Sequence, residues 1–221
     1  MNTKNLYEIR FSGNRELDVR NRIWKILCES FFQKFIGYND TVIDIAAGYC
    51  EFINNIKAAR KIAVDLNPDI TKYANSGIEV INESCDKLKS LPEEIADVVF
   101  ISNFLEHLDS REEILKLLLE CKRLLKSNGK ILILQPNIRY LIKEYWDFLD
   151  HKIPLTDKSL IEALILAGFR IELVVRKFIP YTTKSRYPKF PWLVKLYIAL
   201  MPISGYLFGK QSFVVAIKPS S

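Results

Sequence analysis

The stretch from Thr41 to Phe52, TVIDIAAGYCEF, constrains the fold more than any other part of the chain. It begins with a β-branched apolar run that contains one acid, Asp44, near its carboxyl end. Such a run predicts a central strand that is buried on both faces. Three small residues follow at 46–48, and then apolar residues at helical spacing. Strand, small-residue turn and helix together predict a crevice beyond the carboxyl ends of the strands of an α/β sheet, where backbone approaches a ligand closely.

A second acid ends the next predicted strand, residues 61–66, KIAVDL. Asn67-Pro68 follows, which ends the strand and predicts a helix from Asp69. An acid at the end of the second strand, about 20 residues past the first loop, can accept hydrogen bonds from both hydroxyls of a ribose. The alternative is that Asp65 caps the helix, although Asn67 is better placed for that role.

The spacing Asp44-x-Ala46-x-Gly48-x-Cys50 resembles motif I of the class I S-adenosylmethionine-dependent methyltransferases, an acid followed by glycines at alternate positions. Gly48 matches the middle glycine, whereas Ala46 replaces the first and Cys50 the third. The dinucleotide-binding pattern GxGxxG fits less well, because Ala46 and Glu51 occupy two of its glycine positions. A nicotinamide cofactor is therefore disfavoured.

The resemblance extends to about residue 168 and resumes at the last strand. It includes the run DVVFISNFLEHL at 97–108, which resembles motif IV of small-molecule methyltransferases, and LLKSNGKILIL at 124–134. It implies an α/β three-layer sandwich around a seven-stranded, mostly parallel sheet whose last strand is antiparallel. Residues 1–40 would form a helical extension that covers the cofactor site, and 41–221 the methyltransferase domain, with an insertion at 181–211 between the last two strands.

The resemblance also implies the cofactor, S-adenosyl-L-methionine, and the residues that hold it. Asp44 would contact its methionine end, Gly48 would let the backbone approach, and Asp65 would hold the ribose. Asp86 is the candidate for the adenine amino group, with Glu83 as the alternative. The remaining cofactor-binding candidates are Ala46, Leu66 and Asn103.

Two histidines, His107 and His151, are the candidate catalytic bases, because an unperturbed imidazole titrates near neutrality. Each has a plainer interpretation as a residue that braces or caps its loop. Asn137, at the end of the fifth strand, and Tyr145 are the candidate substrate-binding residues. The four cysteines are scattered, and we expect no metal site.

The pattern of apolar residues and caps predicts the helices of the chain. We expect Glu16 to Ile36 ending before Gly37, residues 111–125, residues 138–150, and Asp157 to Ala167 between a Thr156 cap and Gly168. The predicted strands outside the motif-I region are 78–81, 96–102, 130–134, 169–178 and 212–218.

The basic character of the chain is concentrated at its C-terminal end. The net charge is +6, and from Arg176 onward there are eight lysines and arginines and no acid. The insertion combines five of these cations with aromatic residues. Within it, Trp192 to Leu200 predicts a short apolar helix that is broken at Pro202 and Gly205. This helix could face the core, or it could contact an anionic membrane surface. The polar N-terminus suggests no signal peptide, so we expect a cytoplasmic protein, peripheral to the inner membrane face if the second interpretation holds.

The resemblance to small-molecule methyltransferases implies methyl transfer, and we expect an O- or N-methylation of a small or lipid-linked acceptor, for example a sugar. A nucleic-acid methyltransferase is an alternative that only the basic tail supports. The Asn/Asp-Pro-Pro-aromatic sequence usual in that class does not occur after the fourth strand, so nucleic acid is not the expected partner. A protein that binds the cofactor without turnover is the alternative from a different class.

Overall fold

A computed structural model describes residues 14–85, 88–181, 190–201 and 203–220. Seven strands form one sheet in the order β3-β2-β1-β4-β5-β7-β6. Pairing is parallel from β3 through β5, and β7 is antiparallel to both of its neighbours. The predicted sheet is therefore confirmed. The strands are β1 (Thr41–Ile45), β2 (Arg60–Val64), β3 (Glu79–Ile81), β4 (Ala96–Ser102), β5 (Leu125–Pro136), β6 (Arg170–Val175) and β7 (Gln211–Ile217).

Helices cover both faces of the sheet and complete the three layers. One face packs on α3 and α5, whose buried leucines join the core there. The other face packs on α1, α2 and α6, around Phe32, Phe52 and Ile198. The helices are α1 (Asn14–Ser30), α2 (Glu51–Asn55), α3 (Arg111–Leu124), α4 (Ile142–Tyr145), α5 (Asp157–Leu166), α6 (Pro191–Ala199) and α7 (Ile203–Phe208).

The order of the strands places a crevice at the carboxyl end of β1. The chain proceeds from β1 to β2 on one side, and β4 returns to pair with β1 on the other. In open α/β sheets ligands bind where the strand order reverses in this way. Residues that follow β1, β2 and β4 therefore meet at one edge of the sheet.

The first helix is shorter than predicted, because aromatic packing ends it at Ser30. Residues Phe32–Phe35 form a separate 3₁₀ turn. The ring of Phe31 lies 4.3 Å from that of Phe178, and Phe32 packs 5.4 Å from Phe213. Gly37 is not a left-handed cap, and its N–H instead donates to the carboxylate of Asp40 at 2.7 Å.

The segment 138–150 was expected to be one helix, and this expectation is wrong. It contains a 3₁₀ turn, Ile138–Tyr140, and the single turn α4. Leu141 between them has φ −144° and ψ 40°, which is not helical. The helix predicted from Asp69 is likewise a 3₁₀ turn, Pro68–Lys72, and the Asn67 side chain caps it by accepting the Asp69 N–H.

Other boundaries agree with the sequence pattern. Thr156 and Ser159 form a reciprocal capping box at the start of α5, and Gly168 follows the helix with φ +82°. β5 differs: α3 passes directly into it, so the strand begins at Leu125 and not at the predicted 130. Residues 127–129 lie inside the strand, where its register with β4 shifts.

The insertion contains α6 and α7, and its predicted helix 192–200 is confirmed to within one residue. Gly205 does not break a helix; it lies inside α7, where an added Cβ would stand 2.2 Å from the carbonyl oxygen of Lys177. Pro202 lies outside the described residues. Among the described residues, no helix is both long and apolar enough to cross a membrane.

Candidate active site

The loop after β1 has the backbone geometry of a glycine-rich turn although it contains one glycine. Ala46, Gly48 and Cys50 have φ of 56°, 53° and 58°. A non-glycine residue in this left-handed region costs about 1–3 kcal/mol, so the surrounding contacts must impose it. The Ala47 N–H donates to the carbonyl of Val64 at 3.0 Å, and the Cys50 N–H to that of Ala47 at 2.8 Å. The alternating left-handed residues of motif I are thus kept with alanine and cysteine in place of two glycines.

Asp44 lies at the base of this loop and is 3% exposed. Burial raises the pKa of its carboxyl well above the usual range, and the nearby acids Asp65 and Glu51 raise it further. The Ile53 N–H donates a hydrogen bond that opposes this rise. Glu51 already has a cationic partner in Arg20, but Asp44 and Asp65 at one loop favour a cationic ligand. The ammonium and sulfonium groups of S-adenosylmethionine meet that requirement.

Asp65 joins the loops that follow β1 and β2. Its Oδ2 accepts the Gly48 N–H and its Oδ1 accepts the Asn67 N–H, both at 2.8 Å. Because two carboxylate oxygens offer about four lone pairs, acceptor sites remain for the hydroxyls of a ribose. Leu66, beside it, is 64% exposed and offers apolar surface at the same edge. The side chain of Asn67, not that of Asp65, caps the following turn.

Asn103 provides a third group at this edge, directly after β4. Its φ is 49°, its N–H donates to the Leu134 carbonyl at 2.8 Å, and its Nδ2 donates to Ser102 at 3.1 Å. Its buried Oδ1 has no hydrogen-bond partner among the described residues. An orphaned acceptor facing a crevice fits a ligand that donates hydrogen bonds. Asp86, the candidate for the adenine contact, lies outside the described residues.

The first helix contacts the cofactor loop through residues that the sequence pattern did not single out. Arg20 pairs with Glu51 at 2.8 Å, and its guanidinium lies 5.5 Å from the centre of the Tyr49 ring. Tyr49 in turn contacts Tyr73, with ring centroids 4.7 Å apart. No local sequence signal marks Arg20, because the contact joins two distant segments.

The candidate bases lie close to each other, next to β4. The ring centroids of His107 and His151 are 5.0 Å apart. His107 Nδ1 lies 3.2 Å from a carboxylate oxygen of Asp150 and 3.1 Å from the Asp150 carbonyl. When the Nδ1–H donates a hydrogen bond to Asp150, Nε2 is the nitrogen that can accept a proton. Asp150 immediately precedes His151 in the chain, but the sequence alone gave no reason to connect it with His107.

Buried groups surround this pair. His151 is 7% exposed, packs on the rings of Tyr145 and Phe148, and its Nε2 lies 3.2 Å from the Tyr181 hydroxyl. Glu106 is 2% exposed, and its Oε2 has no hydrogen-bond partner in the part of the chain that the structure describes. Burial raises the pKa of Glu106 to about 7.

One donor atom each of Glu106, His107 and His151 lies within 4.8 Å of the others. These three groups can exchange a proton, and they are also close enough to share one cation.

The two candidate substrate-binding residues do not present free groups to the crevice. Asn137 is fully buried; its Nδ2 donates to Asp157 at 3.0 Å and its Oδ1 accepts the Arg139 N–H at 3.3 Å. Tyr145 is also fully buried, and its hydroxyl donates to the Ile153 carbonyl. Asn137 therefore caps the turn after β5. The ring of Tyr145 packs against the ring of His151.

Gln135, two residues before Asn137, is the amide that the sequence interpretation passed over. It is 1% exposed, and neither its Nε2 nor its Oε1 has a hydrogen-bond partner among the described residues. Ser212 stands opposite it on β7, and the Ser212 hydroxyl likewise has no hydrogen-bond partner among the described residues. The motif Gln135-Pro136-Asn137 has two amides at this strand end. The sequence does not show which of them is hydrogen-bonded within the fold; in the structure it is Asn137.

Comparisons with known proteins agree with this geometry. Residues 43–133 match a family model described as a methyltransferase domain. No curated protein matches the sequence.

Among solved structures, an S-adenosylmethionine-dependent methyltransferase from Archaeoglobus fulgidus is 26% identical, with a TM-score of 0.65 over 97% of this chain and 99% of that one. A Thermotoga maritima protein, described as a possible histamine N-methyltransferase, is 18% identical, with a TM-score of 0.67 over 97% and 98%. A methyltransferase from Mesorhizobium loti is 18% identical, with a TM-score of 0.59 over 81% and 91%. The matched domain, the order of the sheet and these structures support a class I S-adenosylmethionine-dependent methyltransferase.

Proposed function

We propose that the enzyme methylates an oxygen or nitrogen atom of a small or lipid-linked acceptor, such as a sugar, and that His107 removes the proton which this atom must lose. The contact between His107 Nδ1 and Asp150 carries the proposal. A carboxylate that accepts the Nδ1 proton fixes the tautomer of the imidazole and stabilises its protonated form.

The bound cofactor supplies a methyl group on a positively charged sulfur. The chain contributes the positions of the two reactants: Asp65 holds the ribose, Asp44 lies at the methionine end, and Asn103 offers an acceptor after β4, across β1 from Asp65. Most of the catalysis is then the alignment of the acceptor atom with the methyl group. His107 Nε2 takes the acceptor proton, and Asp150 keeps the ring oriented while it does so.

Gln135 supports a polar acceptor. Its buried amide offers a donor and an acceptor that no described residue uses. Since leaving such groups unpaired costs about 1–3 kcal/mol, a ligand that bonds to them gains affinity and specificity. The similarity to a protein described as a possible histamine N-methyltransferase also favours a small polar acceptor.

The protein would act in the cytoplasm, where its four buried cysteines stay reduced. We further propose that the N-terminal extension covers the bound cofactor; of its residues 1–40, the structure describes 14–40. The pairing of Arg20 with Glu51 supports this role, because it ties α1 to the loop that approaches the cofactor.

The acceptor is identified by incubating the enzyme with S-adenosylmethionine labelled in its methyl group and a lysate from a strain that lacks the gene. We expect label in a small or lipid-extractable product that withstands nuclease. Label that nuclease removes would indicate the nucleic-acid alternative. No labelled product, with no hydrolysis of the cofactor, would indicate a binding protein without turnover.

The base is tested on the identified acceptor with His107→Ala and Asp150→Asn. We expect His107→Ala to lower kcat by about 10²–10⁴ while cofactor affinity is kept. Asp150→Asn should lower kcat less, because the imidazole remains but loses the carboxylate that orients it. His151→Ala is the matched comparison, since it removes the neighbouring ring without touching Asp150. Unchanged turnover in both histidine variants would leave catalysis to alignment alone.

A further inference from the structure

Helix α6 presents an apolar face to the outside. Its exposed residues recur at the i, i+3, i+4, i+7 and i+8 positions of one helical face. Trp192 is 62% exposed, Leu196 is 45% exposed and Leu200 is 50% exposed. Lys195 is the charged residue of this face. A helix on the surface of a soluble domain normally presents charged residues there, so this pattern is the reverse of the usual one.

The other face of α6 already fills its place in the core. Ile198 is buried, and Val194 and Tyr197 pack against the same cluster, next to α1. The exposed apolar face is therefore not the face that the domain needs for folding.

Helix α7 continues the same surface. Ile203, Tyr206 and Leu207 are 66%, 73% and 61% exposed, again at i, i+3 and i+4. Its small residues Ser204 and Gly205 face inward, where Gly205 lies against the backbone of Lys177. We call the exposed faces of α6 and α7 the outer surface. Exposed apolar side chains clustered in this way mark interaction sites rather than ordinary surface.

Hydrogen bonds fix the orientation of the two helices. The Tyr197 hydroxyl donates to the Phe178 carbonyl at 2.8 Å, and the Ser204 hydroxyl donates to the Tyr197 carbonyl at 2.6 Å. After α7, the Lys210 N–H donates to the Ile179 carbonyl at 2.9 Å. Rotating the apolar faces inward would break these bonds, so the outer surface is a permanent feature of the folded domain.

The charges around the outer surface favour an anionic partner. The described residues of α6 and α7, 190–201 and 203–208, include Lys195 and no acid. Lys177, at the base of α7, lies 4.9 Å from the centre of the Tyr206 ring and 5.1 Å from that of Tyr140. A second copy of the chain would bring the same positive charges against these, which disfavours self-association. Aromatic and aliphatic side chains with interspersed lysines fit a layer of anionic lipid headgroups.

We propose that the outer surface docks on an anionic phospholipid membrane. The nine residues of α6 span about 14 Å, well under the ~30 Å hydrocarbon core, so the helix lies in the interface. The chain between β6 and α6 includes Tyr181, whose hydroxyl contacts His151 and whose ring packs on Phe148. The proposal concerns this surface alone and does not depend on which acceptor is methylated.

The test is co-sedimentation of the full-length protein with vesicles of phosphatidylcholine, alone or mixed with phosphatidylglycerol. We expect binding to the mixed vesicles, little binding to the neutral ones, and a several-fold loss when salt rises from about 0.1 M to about 0.5 M. Leu196→Glu/Leu207→Glu should weaken binding by about tenfold or more, since it places two acids in the apolar contact. Lys195→Gln should weaken binding to anionic vesicles only.

The matched control is Leu166→Glu on α5, which makes the same change at a leucine that is 69% exposed on the opposite face of the sheet. It should bind as the wild-type chain does. Binding that is absent, equal for both lipid compositions, or weakened equally by the control would overturn the proposal. So would a wild-type dimer that Leu196→Glu/Leu207→Glu converts to a monomer, because a second copy would then occupy the surface. Circular dichroism and cofactor binding establish that each variant is folded.

Discussion

Ala46 and Cys50 show how this enzyme keeps a glycine-type turn without the glycines. Both hold a left-handed backbone, and both lie in a loop whose N–H groups are committed to fixed partners. Burial, together with Asp44, Asp65 and Glu51, raises the pKa of the Cys50 thiol to about 12. The thiol therefore stays protonated and acts as a small packing group, not as a nucleophile.

Asp65 is the residue whose loss should affect the cofactor most directly. Asp65→Ala removes a charged hydrogen-bond acceptor, so we expect S-adenosylhomocysteine binding to weaken by about 1.5–3 kcal/mol in calorimetry. Because the carboxylate also accepts the N–H groups of Gly48 and Asn67, the variant should be less stable as well. Asn82→Ala is the control, since it removes a hydrogen bond to the Asp65 carbonyl and spares the carboxylate. A folded Asp65→Ala protein with wild-type affinity would exclude Asp65 from the ribose site.

Glu106 should make the stability of the protein depend on pH. Burial raises its pKa from 4.5 to about 7 in the folded chain, with Asp150 raising it and His107 lowering it. The folded state therefore favours the protonated acid, and this stabilisation is present below the unfolded pKa and is lost as pH rises through about 7.

Glu106→Gln carries no titrating group at this position. Between about pH 5 and about pH 8 the variant should gain about 2–3 kcal/mol of unfolding free energy relative to the wild-type protein. Denaturant unfolding at several pH values measures the difference. Glu29→Gln, at an exposed position on α1, is the control. A constant difference between the Glu106→Gln and wild-type curves would mean that Glu106 is ionised in the folded state.

At the scale of single elements, the sequence predicted best where local signals decide the structure. The predicted bounds of β4, 96–102, agree with the structure at both ends, because its β-branched apolar run favours a buried strand. The Thr156 cap and Gly168 delimit α5 in the same way. The end of α1 and the segment after β5 were predicted wrongly. The contact of Phe31 with Phe178 decides the first, and it depends on the tertiary structure. After β5 the Asn137 side chain caps a short turn that ends at the non-helical Leu141.

The residues of the candidate site also differ in how far the sequence predicts them. Asp44, Asp65 and Asn103 could be predicted because each follows a strand, and the carboxyl ends of neighbouring parallel strands meet in space. Gln135, Asp150 and Arg20 could not. Their roles come from contacts between distant segments, or from which of two neighbouring amides already has partners.

Considered as a whole, the molecule assigns different tasks to the two faces of its sheet. The face with α3 and α5 is a core of buried aliphatic residues. The other face holds α1, the cofactor loop and the insertion with the outer surface. α1 packs on both α2 and α6, so it lies between the cofactor loop and the proposed membrane contact.

This arrangement predicts that cofactor binding slows hydrogen exchange on the face of the sheet that holds α1 and the cofactor loop. In hydrogen–deuterium exchange, S-adenosylhomocysteine should slow exchange in the loop 46–50 and in α1, because Arg20 ties that helix to Glu51. Exchange in α5, on the opposite face, should be unchanged. Arg20→Ala should abolish the added protection in α1 and keep it in the loop, which separates coverage of the cofactor from general stabilisation. Equal protection of α1 and α5, or none in α1, would show that the N-terminal extension does not close over the cofactor, since a ligand that only stabilises the fold protects both faces alike.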